Sequence, residues 1–356
     1  MRKVIVPLLI LFVSYPIICL IGKMLFSDTK IGSIINIYSN YEKAASDYIP
    51  YKESFYSYLS NFEYNYLGSS IKPNKAIVGE NGWMFLGSDY GNILNENYGR
   101  DTFSAKQLLN IESKIEQTTK KLKNIGVDYF YILIAPNKHT VYSEKMPFRT
   151  DVVFNTKLSQ VEKLSNSQII NITDKLKSLK NRQFELYHRK NSHWTSFGAF
   201  FAYRLTINHL MKYGDPIRYL SISQVEFFKK ESVSEDIANM LKLDIKETRI
   251  DSRIIKSKNR SRVEKLGNNL NFKGLKNKKY EAVYLNSKCD SKCGESLVLF
   301  RDSFGSELVR FFNYSFTNQY VIHSSKIDYE YLSKIKPKYV ILEIVERNID
   351  VLLNNL

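Results

Sequence analysis

Hydrophobic and polar positions divide the chain into segments of different character. Val4 to Gly22 is an uncharged run of about 19 residues, preceded by Arg2 and Lys3 and closed by Lys23. A helix needs ~20 such residues to cross a bilayer. The exit, Ile18, Cys19, Leu20, Ile21, Gly22, has no small-x-small cleavage site. Cys19 follows Ile18 rather than a small residue, which makes it a poor lipidation site. The pattern predicts an uncleaved signal anchor over 1–26. Arg2 and Lys3 hold its N-terminus in the cytoplasm, so the rest of the chain lies outside. Residues 27–76 alternate polar and aromatic positions without a core pattern and read as a stalk with peripheral helices.

From residue 77 to 356 the patterning is that of a folded domain. Asn81-Gly82 stands between the apolar runs Ala76–Val78 and Trp83–Leu86, a strong hairpin signal. Ser104 with Gln107 forms a capping-box pattern. It opens a helix whose apolar positions Leu108, Leu109, Ile111, Ile115 and Leu122 run up to Gly126. Val127 to Ala135 then reads as a buried strand. A helix–strand pair covers about 155–172 and ends in the strand Gln168–Ile172. Further strands are expected at Phe184–His188, Ala282–Leu285, Ser296–Phe300, Tyr320–His323 and Tyr339–Val345. Helices are expected at 196–212, 304–313 and 328–335. Strands alternating with helices imply an α/β fold, a parallel sheet covered on both faces. Between about 214 and 281 the pattern weakens, as in an insertion.

Composition narrows the partners. Lysine plus arginine number 52 against 36 acidic residues, a formal charge of +16. That balance favours an acidic partner: nucleic acid, anionic lipid or an acidic polymer. An extracytoplasmic domain disfavours nucleic acid. Arg253 to Lys279 holds ten basic residues and one acid, Glu264. The stretch is either a solvated insertion or a surface that attracts an anionic polymer. Three cysteines exclude a disulfide-framework miniprotein and a four-cysteine zinc site, and five histidines speak against a histidine-rich metal centre. Cys289 and Cys293 are either a disulfide, in an oxidising compartment, or two surface thiols.

Two loops carry candidate chemistry. The strand ending at Phe300 runs into Arg301-Asp302-Ser303-Phe304 and then a helix. Ser303 therefore sits at the carboxyl end of a sheet strand, where open α/β folds build their sites. It is also near a helix N-terminus, whose free N–H groups favour a developing oxyanion. The competing reading is an N-capping serine. His193, in Lys190-Asn191-Ser192-His193-Trp194-Thr195, lies on a second loop before a helix. It is either a general base for a serine hydroxyl or a surface residue with a turn hydrogen bond.

These residues, with three other stretches, resemble the alginate O-acetyltransferase family of the AlgJ and AlgX type, whose domain is SGNH-hydrolase-like. Gly79-Glu80-Asn81-Gly82-Trp83-Met84-Phe85-Leu86 is similar to its Gly-x-x-Gly-Trp-Leu-Phe opening. Ala135-Pro136-Asn137-Lys138, followed by Val141-Tyr142 and Met146-Pro147, is similar to its strand-end loop. Ser192-His193-Trp194-Thr195 resembles its Asp-x-His-Trp segment, and Asp302-Ser303-Phe304 its Gly-Asp-Ser-Phe nucleophile turn. Lys336-Pro337-Lys338-Tyr339-Val340-Ile341, running to Val345-Glu346-Arg347, resembles its closing strand and Glu-Arg ending. The likeness spans about 77–350.

The resemblance implies acetyl transfer to a hydroxyl of a cell-surface polysaccharide through a Ser303 acyl-enzyme. His193 is the base and Asn191 its orienting partner. Asn137 and Lys138 are the candidate oxyanion or substrate-binding residues. Trp194 is a sugar-stacking wall or a packing residue. Arg347 is a binding group or the partner of Glu343 or Glu346. No bound cofactor or metal is implied. Acetyl-CoA is cytoplasmic, so a membrane-bound O-acyltransferase partner would relay the acetyl group. The domain would stand in the periplasm, held to a bacterial inner membrane through residues 4–22. A carbohydrate acetyl-esterase and a non-catalytic polysaccharide-binding or assembly subunit are the alternatives. Two departures bear on activity. The family's triad aspartate is Asn191 here, and the glycine of the nucleophile turn is Arg301. In serine proteases an Asp-to-Asn change at that position lowers turnover by ~10⁴. Asp174 and Glu185 are the sequence's candidate substitutes.

Overall fold

Three buried strands whose side chains alternate between the two faces of a sheet define the core. Phe130, Ile132 and Ile134 face one way, and Tyr131, Leu133 and Ala135 the other. The same split separates Val340, Leu342 and Ile344 from Tyr339, Ile341 and Val345, and Val298 and Phe300 from Leu297 and Leu299. A sheet apolar on both faces needs cover on both, which is why these strands read as continuous hydrophobic runs.

The computed structural model describes residues 52–147, 155–164, 167–180, 182–231, 235–255, 280–285 and 294–356. The chain divides into two units, Met1–Tyr66 and Leu67–Leu356. The described part of the first is a helix, Lys52–Phe62, running into a π-type turn. The expected anchor over 4–22, the Cys289–Cys293 pair and most of the basic stretch after Ile255 lie outside the described residues. No helix among the described residues is long and apolar enough to cross a membrane.

In the second unit the strands are β1 (Ala76–Val78), β2 (Met84–Leu86), β3 (Tyr129–Ala135), β4 (Ile169–Ile170) and β5 (Val225–Glu231). They continue with β6 (Thr248–Ile254), β7 (Tyr280–Leu285), β8 (Gly294–Arg301), β9 (Phe316–His323) and β10 (Tyr339–Val345). The principal helices are α1 (Ala105–Asn124), α2 (Ser196–Tyr213), α3 (Asp236–Met240), α4 (Ser306–Ser315) and α5 (Tyr329–Ile335). Six strands form the main sheet in the order β4-β3-β10-β8-β9-β7. All neighbours are parallel except the edge pair β7–β9. Helices α2 and α4 cover one face, and α1 and α5 the other.

The capping box at Ser104 and Gln107 forms as expected. The β1–β2 hairpin turns through Asn81 and Gly82, both at positive φ (54° and 74°), the conformation Asn-Gly tolerates. Two expectations need correction. Phe184–His188 is not a sheet strand: one bridge, Tyr187 to Trp194, folds the segment back on itself. The weakly patterned region is also partly ordered. It contains the antiparallel ribbon β5–β6, joined through α3.

Candidate active site

Strand order decides which loops can meet. β10 lies between β3 and β8, and all three run parallel. Their carboxyl ends therefore emerge side by side, carrying Asn137, Arg347 and Ser303.

The nucleophile turn is tightly braced. Asp302 accepts from Phe304 N–H (2.8 Å) and from Val345 N–H (2.7 Å), which ties the ends of β8 and β10 together. Below it sits Glu343, fully buried, accepting from Asp302 N–H at 3.1 Å. Burial pushes the Glu343 carboxyl well above the usual range, Asp302 adds to this, and Arg301 opposes it. Arg301, where the family has glycine, folds inward and donates to Asp302 O and Ser306 Oγ, each at 2.7 Å. Its charge braces the turn instead of entering the site. Ser303 itself is exposed.

His193 reaches this turn from the other side. Its Nε2 lies 2.8 Å from Ser303 Oγ, and its Nδ1 lies 2.9 Å from Asn191 Oδ1. The same Asn191 oxygen accepts from the backbone N–H of His193 at 3.1 Å. A backbone N–H can only donate, so the atom facing Nδ1 is the amide oxygen rather than the NH2 group. That places the proton on Nδ1 and leaves Nε2 free to accept from Ser303. Burial holds His193 below the ordinary imidazole range, helped by Arg347 and Arg249 and opposed by Asp236 and Asp302. A neutral ring is the form a general base needs.

The loop carrying His193 is pinned from four directions. Lys138 Nζ donates to the carbonyls of His188 (3.0 Å), Arg189 (3.0 Å) and Asn191 (2.8 Å). Met84 N–H of the hairpin donates to Arg189 O at 2.8 Å. Glu247 accepts from the N–H groups of Arg189 and Lys190 (2.7 and 2.8 Å). Asp236 accepts from Ser192 N–H at 2.8 Å. Lys138 is 2% exposed, and its three protons are all engaged, so none is left for an oxyanion. Its role is to hold the loop. Burial lowers its pKa to about 7, opposed by Asp236, Glu247, Glu235 and Glu185.

The remaining expected residues divide. Trp194 is 1% exposed and donates its indole N–H to Phe304 O at 3.0 Å, so it packs beneath the turn and is no sugar wall. Arg347 stands over the Phe304 ring, 5.3 Å from its centroid, and donates to Asn137 Oδ1 at 3.3 Å. No described carboxylate lies in ion-pair range of it; Glu346 instead accepts from Asn137 N–H and Thr140 Oγ1, each at 2.6 Å. Asn137, Arg347, Ser192 and Ile237 lie around one narrow surface depression with Leu86, Ile93, Lys138 and His139.

Neither acid suggested by the sequence stands in for the missing aspartate. Glu185 pairs with Arg189, and Asp174 has no contact with His193. Among the described residues, the carboxylate within 4 Å of a His193 ring nitrogen is Asp236, at 3.6 Å. Sequence reasoning missed it because it lies in the weakly patterned region. Its available signal was modest: an acid at the first position of a short helix.

A largely parallel sheet with an exposed serine at the end of one strand, in contact with an imidazole from a separate loop, fits an SGNH-hydrolase-like domain. The sequence agrees: residues 76–267, more than half of the chain, match the family described as SGNH hydrolase-like domain, acetyltransferase AlgX, and the chain belongs to that family. Ser303 lies beyond the matched segment. Among solved structures, Bacillus cereus PatB1 with a sulfonyl adduct is similar at TM-score 0.56 and 16% identity, over 79% of this chain and 99% of that one. A DHHW family protein from Eubacterium siraeum is similar at TM-score 0.51 and 14% identity, over 80% of this chain and 96% of that one. The O-acetyltransferase domain of Pseudomonas putida AlgJ aligns at TM-score 0.45 and 14% identity, over 79% and 93% of the two chains. No curated protein sequence matches.

Proposed function

We propose that the protein is an O-acetyltransferase that modifies a cell-surface or secreted polysaccharide through an acetyl-Ser303 intermediate. The observation that carries this reading is the 2.8 Å contact between Ser303 Oγ and His193 Nε2. Ser303 Oγ attacks the acyl carbonyl while its proton passes to Nε2. The tetrahedral oxyanion is received by Ser303 N–H, which donates to no described protein group, and by the Asn137 side-chain amide. Collapse expels the donor's alkoxide, which leaves with the proton from Nε2. A sugar hydroxyl then repeats the sequence in reverse, and His193 takes its proton. Arg347, cationic and without a carboxylate partner among the described residues, suits a carbonyl or carboxylate of the acceptor.

The wider setting is part of the same proposal. Residues 4–22 anchor the chain in a bacterial inner membrane with the domain in the periplasm. A membrane-bound O-acyltransferase relays acetyl groups from cytoplasmic acetyl-CoA. The basic stretch up to Lys279 attracts an anionic glycan, which salt-dependent retardation against acidic and neutral polysaccharides tests.

The direct test incubates residues 67–356 fused to a soluble carrier, and in parallel the full chain in detergent, with an acetyl-ester donor and oligosaccharide acceptors. Acetylated acceptor that disappears with Ser303→Ala supports transfer. Acetate alone indicates an esterase. Neither product indicates a binding or assembly subunit.

A further inference from the structure

We propose that the third member of the catalytic set is divided between two residues: Asn191 orients the imidazole, and Asp236 supplies the negative charge that steadies its protonated form. This rests on the acyl-transfer reading above. The Asp236 carboxylate is fixed and aimed. Its Oδ1 accepts from the backbone N–H groups of Ser192 (2.8 Å) and Ile237 (2.7 Å). Its Oδ2 receives the Ser192 hydroxyl and stands 3.6 Å from His193 Nδ1. Ser192 Oγ is itself 3.3 Å from Nδ1. Since the hydroxyl proton goes to Asp236, an oxygen lone pair is left to face Nδ1–H. The charge thus acts both through space and along a Ser192 relay.

The proton count is simple. When Ser303 Oγ bonds to the acyl carbon, its proton moves to Nε2 and the ring becomes a cation with both nitrogens protonated. No proton moves to Asp236. The leaving group takes the proton back from Nε2. The other charges bearing on the ring are Arg347 after β10, Arg249 on β6 and Asp302 after β8; the buried His188 is neutral. Two cations therefore oppose the imidazolium, and Asp236 is the stronger of the two carboxylates set against them. An amide at position 191 can hold the ring but cannot offset them.

The test is Asp236→Asn, which keeps the shape and an oxygen for the Ser192 and Ile237 N–H groups. His193 is titrated by NMR in a Ser303→Ala background, where no chemistry occurs. Asp236→Asn is expected to lower the imidazole pKa by about one unit or more. In the active chain, acylation by p-nitrophenyl acetate is expected to slow by roughly 10- to 10³-fold, and its acid limb to move to lower pH. Asn191→Asp is expected to recover most of this loss in the Asp236→Asn background. In the otherwise unchanged chain it should raise the rate by less. A His193 titration unchanged by Asp236→Asn overturns the proposal. So does a rate loss that Asn191→Asp fails to rescue in a protein that still melts normally, since Asp236 would then be a loop anchor only. The titration needs no acyl donor. An inactive parent protein would therefore defeat the acyl-transfer reading while still judging Asp236.

Discussion

Replacing Lys138 with methionine separates holding the chain together from holding the site together. The variant keeps the volume of the buried stem and deletes the ammonium. Arg189 O retains its bond from Met84 N–H, but His188 O and Asn191 O lose the lysine donor. Leaving two buried carbonyls unpaired costs about 2–6 kcal/mol. The opposing term comes from burial, which draws the ammonium from 10.5 to about 7. At ~1.36 kcal/mol per pKa unit, that is a penalty of about 5 kcal/mol that the variant no longer carries. The two nearly cancel, so urea denaturation at pH 7 should place Lys138→Met within about 2 kcal/mol of the parent. Catalysis has no such cancellation. The freed carbonyls flank Asn191, and a shift of ~1 Å in a catalytic group costs roughly 10²-fold in rate. Stopped-flow acylation with p-nitrophenyl acetate measures this. A pH series gives a second reading. Between 7 and 10.5 the unfolded chain binds a proton that the native chain has released, so the parent gains stability with rising pH. The variant should lack that gain. Unchanged acylation would refute the loop-holding role, and destabilisation beyond about 2 kcal/mol would refute the cancellation.

Other perturbations probe the support of the site. Glu343 has a native pKa well above its ordinary value, so the native chain binds the extra proton and parent stability falls as pH rises above about 4.5. Glu343→Gln should therefore stabilise the protein at pH 8 and change little at pH 4 by thermal melting. His139 and His188 are buried with pKa values lowered to about 3. Each takes up its proton on unfolding between pH 6.5 and 3, so each should remove up to ~1.4 kcal/mol of stability per pH unit through that window; His139→Gln should flatten the acid limb of a pH–stability curve. A Cβ at Gly305 would lie 2.6 Å from both Arg301 Cβ and Glu343 Oε2. Gly305→Ala should therefore cost about 1–3 kcal/mol by denaturation and slow acylation by displacing the nucleophile turn.

Much of the fold was legible because its central strands are buried on both faces. Tyr129–Ala135 and Tyr339–Val345 read as continuous apolar runs, and the capping box at Ser104 is a local chemical signal. Ser303 and His193 could be placed on loops for the same reason: each follows or precedes an element with a clear period. Phe184–His188 misled because an apolar, aromatic stretch folded against the core through one bridge has the composition of a strand without its partners. Asp236 was invisible for a different reason. Its importance comes from tertiary proximity across 43 residues of chain to His193, and neither residue's neighbours encode that distance. Lys138 stood as a candidate oxyanion or substrate-binding residue because a charged side chain after a strand usually reaches solvent or ligand. Only the three converging carbonyls show otherwise.

The strand that completes the middle of the sheet is also the last in chain order among the described strands. β10 runs from Tyr339 to Val345, yet it joins β3 to β8 and supplies the Val345 N–H that secures the serine turn. A growing chain that has emerged only as far as Pro337 would hold two half-sheets with bare, strongly apolar margins. Such margins are sticky, and the serine would still lack its clamp. Truncation before Tyr339 should thus yield aggregation-prone, inert fragments.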